Sequence, residues 1–367
     1  MIIVVNSTHF IPLSGSNFFH NYLREFATCQ LEHQFIFITA TAPAPQPVFF
    51  KNISWVVSAP KADNVLMWKL WLNYKLPAIA RKYKASLLIH TGGVCSLRTK
   101  IQQCLFIGDL SFLDYPQYFS KSGVKFLKKN MLAFLNKVQL VVASSDFIAK
   151  ELAGQYTIKN GKIQIAGLQA GELYTRLDWK TKEAVKDKFT DGKEYFLFSG
   201  DIHPRHNLTN LLKAFSFFKK RQKSNMQLLI VVQHAAPGEP FTESLKTYKY
   251  RHEVKLLIGL PEQEMAIITA AAYAFVYPSQ YEGMGLPIIK ALHCGVPVIT
   301  SSTGVLPGIA GDAALYINQD SYEDIANKMM QVFKDENKRN ELIELGYQRV
   351  ENIADFKAIE WWEFFTR

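Results

Sequence analysis

The sequence predicts an α/β protein built from two doubly wound units, and three observations carry that expectation. Short apolar runs alternate with longer segments of helical period along nearly the whole chain. The runs are rich in Val, Ile and Leu at successive positions, which suits parallel strands covered by helices on both faces. The length of 367 residues fits two domains of about 100–200 residues each.

In the first half the expected strands are Ile2–Val5, Phe35–Thr39, Ile53–Val57, Leu87–His90, Leu105–Ile107 and Leu140–Ala143. Between them the helical period predicts helices near Asn17–Thr28, Leu66–Lys82, Val124–Asn136 and Phe147–Ala153. The second half predicts strands at Tyr195–Ser199, Gln227–Val232, Val254–Ile258, Ala274–Tyr277, Val296–Thr300 and Ala314–Ile317. Its helices fall near Leu208–Lys220, Glu262–Ala271, Ile288–His293, Tyr322–Lys334 and Lys338–Val350. A polar stretch at 168–193 reads as the linker, which divides the chain into 1–170 and 171–351. The tail 352–367 closes on an aromatic helix, Phe356–Phe365, with Asp355 as its cap. So dense an aromatic segment is expected to dock on the first domain.

Composition narrows the function. A hydrophobic fraction of 48% with 20% charged residues excludes a disordered chain, and no apolar run approaches the ~18 residues of a spanning helix. Met1–Asn6 reads as a strand rather than a secretory leader. Cys29, Cys95, Cys104 and Cys294 are scattered, which suits buried thiols in a reducing compartment and provides no metal set. The expected location is the cytoplasm. Lys+Arg 42 against Asp+Glu 32 gives a net charge of +10, which favours anionic partners. No nucleic-acid recognition motif accompanies that charge, so nucleic acid is not expected. Lys125-Phe126-Leu127-Lys128-Lys129 interleaves cations with apolar residues and suits either a solvated face or anionic lipid headgroups at the inner face of the cell membrane.

Chemistry is expected in loops beyond the carboxyl ends of parallel strands, where helices begin. The second half holds three. Gly200-Asp201-Ile202-His203-Pro204-Arg205-His206-Asn207 follows one strand, and Pro278–Pro287 follows another. The latter contains Glu282-Gly283-Met284-Gly285-Leu286, whose glycines let backbone approach a phosphate and whose Pro287 suits a helix start. Ser301-Ser302-Thr303-Gly304 is the third. In the first half, Ser14, Gly15 and His90, which precedes Thr91-Gly92-Gly93, are cleft candidates, with His90 reading more readily as a satisfied structural histidine. His293-Cys294 sits on one helix with its side chains pointing apart, and reads as core.

Tyr281–Thr300 (YEGMGLPIIKALHCGVPVIT) resembles the signature of family 4 glycosyltransferases. Ser199–Phe215 is similar to that family's phosphate loop, Gly108–Tyr118 to its first-domain loop, and Val141–Leu152 and Leu306–Ile317 also fit. The resemblance implies two Rossmann-like domains facing across a cleft (the glycosyltransferase B-type), with the C-terminal helix returning to the first. It implies a retaining enzyme without a cofactor, whose second domain takes a nucleoside-diphosphate sugar and whose first takes a glycan or lipid-linked acceptor. Glu282 would contact donor-sugar hydroxyls. Gly200, Arg205, His206, Gly283, Met284, Gly285, Leu286 and Lys290 would line the donor and phosphate site, and Gly108 and Asp109 the first-domain side.

Several family positions are altered. Asp201 and His206 stand where two diphosphate-neutralising cations are usual, and Lys290 replaces the second of two glutamates. Gly108 replaces a histidine, and Gly308 a glutamate. Losing two charge-assisted contacts removes roughly 3–6 kcal/mol, or about 10²–10⁴ in affinity. The exchanged signs of Asp201 and Lys290 suggest a salt bridge across the nucleotide space. Two readings stay open: an active transferase in which Arg205 and Lys290 replace the lost cations, and a degenerate transferase that acts as a non-catalytic subunit or glycan-binding partner of an active one.

Overall fold

The computed structural model describes residues 1–9, 16–42, 50–60, 64–167, 171–235, 238–353 and 360–366. Ser14, Gly15 and Asp355 lie outside the described residues. The chain divides into two compact units, Met1–Gly167 with Lys357–Arg367, and Leu168–Phe356.

The first unit carries β1 (Ile2–Asn6), β2 (Gln34–Thr39), β3 (Ile53–Val57), β4 (Leu87–His90), β5 (Gln102–Ile107), β6 (Leu140–Ala143) and β7 (Ile163–Ile165). They form one seven-stranded parallel sheet in the order β3-β2-β1-β4-β5-β6-β7. The second unit carries β8 (Tyr195–Ser199), β9 (Gln227–Val232), β10 (Val254–Ile258), β11 (Ala274–Tyr277), β12 (Val298–Ser301) and β13 (Ala314–Ile317). Its parallel sheet runs β10-β9-β8-β11-β12-β13. Every residue of β4, β6, β9, β11 and β12 is buried, because helices cover both faces of each sheet. The two doubly wound α/β sheets expected from the alternating pattern are both present.

In each sheet the strand order reverses once, between β1 and β4 and between β8 and β11. Loops leaving the two strands on either side of such a reversal diverge to opposite faces and open a crevice at the carboxyl edge. In the second unit those loops are 200–207 and 278–285.

Several elements depart from expectation for identifiable reasons. The stretch expected to be a linker holds a helix, Trp179–Thr190. Asp178 caps it by accepting from the Thr181 N–H at 3.0 Å, and only Val185, Lys186 and Thr190 are buried, so it shows almost no apolar stripe. β7 has three residues interrupted by Gln164, too short for a pattern. The helix expected at Leu66–Lys82 is divided into Val65–Leu70, a π-turn Trp71–Lys75, and Leu76–Lys82. Pro77 has no N–H to give the carbonyl four residues back, and the ladder widens there. β12 begins after Pro297, because the Val296 N–H is taken by Ala291 O at 3.0 Å. Short helices Pro240–Lys246 and Leu306–Ala310 were not expected.

The C-terminal helix, Glu360–Thr366, belongs to the first unit as expected. Trp361 and Trp362 are buried against Phe26, and the Trp361 indole N–H donates to Tyr22 Oη at 2.8 Å. Fully burying an aromatic side chain stabilises a fold by about 1.5–3 kcal/mol, so two such rings fix this helix firmly.

Candidate functional site

The site is assembled at the sheet reversal of the second unit. Gly285 starts the helix Leu286–His293 at φ +69°, a conformation that favours glycine, and a side chain there would meet Ile309 at 3.0 Å. The first N–H groups of any helix lack intrahelical acceptors, so this start presents positive potential toward the loop before it. Gly283, Met284 and Gly285 are all buried.

Glu282 is 4% exposed, and an ionised carboxylate so placed needs strong partners. The Tyr277 hydroxyl, at the end of β11, donates to its Oε1 at 2.8 Å. His206 Nε2 lies 3.2 Å from the same oxygen. Burial pushes the Glu282 carboxyl up, but the His206 contact, the Arg205 guanidinium and the Tyr277 hydroxyl outweigh it and hold it below the usual carboxylate value. Tyr277 is pushed up by burial and by Glu282, and so stays protonated as a donor.

His206 is the hinge of this cluster. Its Nδ1–H donates to the Asp201 carbonyl at 2.7 Å. A neutral ring then accepts the Arg205 Nε–H at Nε2, 3.2 Å away. A protonated ring donates instead to Glu282. In either state the carboxylate has a cation beside it. Arg205 is itself buried, and its carbonyl accepts from the Gln280 N–H at 2.7 Å and the Ser279 hydroxyl at 3.3 Å, which ties the β8 loop to the β11 loop. Burial, followed by Arg205 and His206, lowers His203 to about 4.

The third loop closes behind Glu282. The Val305 N–H donates to Glu282 O at 3.1 Å, and a side chain on Gly304, at φ +62°, would meet that oxygen at 2.7 Å. Gly200 is closely packed as well, since a Cβ there would meet the Phe198 ring at 3.0 Å. Tyr277 and His203 were not singled out from the sequence. The signal for Tyr277 was its place as last residue of a strand flanking the reversal.

The expected Asp201–Lys290 salt bridge is not formed. Lys290 Nζ donates to Glu262 Oε1 at 2.5 Å and sits 4.4 Å from the centre of the Tyr174 ring, whose hydroxyl donates to the same oxygen at 2.7 Å. Glu262 starts the neighbouring helix Glu262–Ala270, so Lys290 finds a carboxylate across a helix pair, while the Asp201 side chain is exposed. Burial raises the Glu262 carboxyl, yet Lys290 and Tyr174 leave it below its ordinary value. Gly308 carries no side-chain function, and Arg349 holds that turn through Gly308 O and, at 2.8 Å, Ile309 O.

In the first unit His90 is fully buried. One ring nitrogen lies 2.9 Å from Gln103 Oε1, the other 3.4 Å from Asn6 Nδ2, and burial lowers it to about 4. It is neutral and structurally engaged. Gly108 O accepts from the Ser144 hydroxyl at 3.4 Å, and buried Asp109 accepts from the Ser111 N–H at 2.6 Å, making a rigid turn after β5.

Residues 180–349 match the family model described as glycosyl transferases group 1. The chain is 27% identical over 254 residues to O-antigen chain mannosyltransferase B of Escherichia coli, covering 69% of this chain and 65% of that one. It spans less than two thirds of the length of the curated relatives it matches. Among solved structures it resembles WaaG, a glycosyltransferase involved in lipopolysaccharide biosynthesis, with TM-score 0.77, 14% identity and 95% of both chains covered. It also resembles Anabaena Alr3699/HepE, solved in complex with UDP and glucose, with TM-score 0.75, 15% identity, and 100% and 99% coverage. The fold is that of the two-unit B-type glycosyltransferases. The match to the glycosyl transferases group 1 model lies within the second unit, and the family 4 resemblance of the motifs is compatible with it.

Proposed function

We propose that the protein is a glycosyltransferase of surface-polysaccharide assembly that moves mannose from a nucleoside-diphosphate donor, with retention, to a glycan or lipid-linked acceptor. The observation that carries this reading is the buried, ionised Glu282 beside Arg205 at the start of the helix Leu286–His293. Mannose is supported by the relatives' names, and a nucleoside-diphosphate donor by the UDP-bound neighbour.

In this reading Glu282 accepts hydrogen bonds from donor-sugar hydroxyls while Tyr277 and His206 fix its rotamer. Arg205 supplies the positive charge that a departing diphosphate needs, and backbone N–H groups of 283–286 with the helix start supply the rest. Stabilising charge as it develops on a leaving group is usually the largest electrostatic contribution to transfer. Lys290 is committed to Glu262, which leaves Arg205 as the principal side-chain cation. The first unit, through the turn at Gly108 and Asp109, takes the acceptor, and a lipid-linked acceptor places the enzyme at the inner face of the membrane.

A second reading, a sugar-binding subunit without transfer, is favoured by Asp201 and His206 standing where the resemblance implies cations. Incubation with labelled nucleotide-mannose and a lipid-linked acceptor separates the two. The transferase reading expects a product whose anomeric configuration matches the donor's by NMR. It also expects about a 10–100-fold lower rate for Glu282→Gln, the loss of one charge-assisted contact. Absence of transfer despite tight donor binding establishes the second reading.

A further inference from the structure

The first unit presents a surface that the donor chemistry does not use. The helix Lys121–Lys137 contains five lysines and no acidic residue, and Val65–Leu70 with its π-turn Trp71–Lys75 adds Lys69 and Lys75, again without an acid. The two segments neighbour each other, with Lys69 Nζ 5.5 Å from the centre of the Phe126 ring. On the longer helix Val124, Leu127, Met131 and Leu135 point into the core. Lys121, Lys125, Lys128, Lys129 and Leu132 are exposed at helical spacing along the opposite face. On the shorter segment Leu66 is 63% exposed, Met67 and Leu70 are 48% exposed and Tyr74 is 51% exposed. None of these lysines forms an ion pair among the described residues, and between Pro116, Val124 and four of the lysines lies a groove of about 620 Å³.

Large apolar side chains left in water at this density cost free energy unless something covers them. A soluble polyanion would satisfy the lysines but not Leu66, Met67, Leu70 and Tyr74. An anionic bilayer satisfies both, headgroups taking the ammonium groups and the interface taking the apolar tips. We infer that this two-helix face seats the protein on a membrane surface rich in anionic lipid. The inference extends the proposed function, because a lipid-linked acceptor is met at such a surface, but it rests on residues of the first unit only.

The test is co-sedimentation of the full chain with phosphatidylcholine vesicles, with and without about one third phosphatidylglycerol, at near-physiological salt. The expected result is binding to the anionic vesicles alone. The triple variant Lys125→Gln, Lys128→Gln, Lys129→Gln should lower partitioning by about 100-fold, three cations at about 1 kcal/mol each. Leu66→Ser with Leu70→Ser should also weaken binding while the lysines remain, which a purely ionic contact would not show. All five substitutions are at exposed positions, so circular dichroism should be unchanged. Equal binding to both vesicle types, no binding to either, or binding only to soluble heparin overturns the inference. Donor affinity of the same variants should match wild type, so failure here is distinguishable from failure of the transferase reading.

Discussion

Glu282 is an ionised carboxylate in a place water scarcely reaches, and its partners define what can be tested at the scale of single residues. Tyr277→Phe removes one donor while keeping the ring, so transfer should fall about tenfold, with a thermal stability loss of about 1–2 kcal/mol. A Tyr277→Phe enzyme as fast as wild type would show that the hydroxyl does not position Glu282. The carboxyl is depressed in the folded state, so its contribution is present above the ordinary glutamate value and is lost as pH falls through the folded one. Buried histidines act in a higher window. His90 and His203 both titrate at about 4 rather than 6.5, so the unfolded chain takes up protons first as pH drops below 6.5. Stability should therefore fall between pH 6.5 and 4, by roughly 3 kcal/mol for fully buried His90 alone. Thermal melts should show a shallower decline for His90→Asn, and a flat melting temperature across this range would contradict the argument. At this scale the sequence exposed Glu282, Arg205 and the glycines because their types and spacing are unusual. It hid the destination of Lys290, which depends on a helix 28 residues away in sequence supplying Glu262.

At the scale of elements, loops and helix pairs decide where those residues stand. Gly304 lies against Glu282 O with φ +62°, so Gly304→Ala forces both a left-handed alanine and a 2.7 Å contact. A stability loss of about 1–3 kcal/mol and a large loss of transfer are expected, measured by denaturant melts and rate. The Lys290–Glu262 pair joins two helices at a partly exposed site, so Lys290→Gln should cost no more than about 1 kcal/mol. Donor affinity should stay within about threefold of wild type, since the ammonium is already committed. A tenfold weaker donor would return Lys290 to the phosphate site. The strand Gln227–Val232 was legible from end to end, because burial on both faces writes a nearly uninterrupted apolar run. The helix Trp179–Thr190 was not, because capping by Asp178 and ion pairs around Lys186 stabilise it without an apolar stripe. The π-turn within Val65–Lys82 was equally hidden, since Pro77 alone signals a helix boundary more often than a widened turn.

At the scale of the whole molecule, two parallel sheets each place one reversal of strand order in the chain, and among the described residues the second gathers a buried acid, a buried guanidinium and a helix start around it. The doubly wound architecture was readable because alternation is a property of every segment. The closing helix was readable because its aromatics had nowhere else to go. Trp361→Ala should destabilise the first unit by about 3–5 kcal/mol and leave donor binding unaffected. In the proposed reading the crevice at the reversal of the second sheet takes a nucleoside-diphosphate sugar. Calorimetric titration of the purified chain with a panel of UDP-, GDP- and ADP-sugars addresses it most directly. Micromolar binding of one donor class, weakened at least about tenfold by Arg205→Gln and by Glu282→Gln, is the predicted result. Silence across the panel, or a donor affinity indifferent to both substitutions, would contradict it.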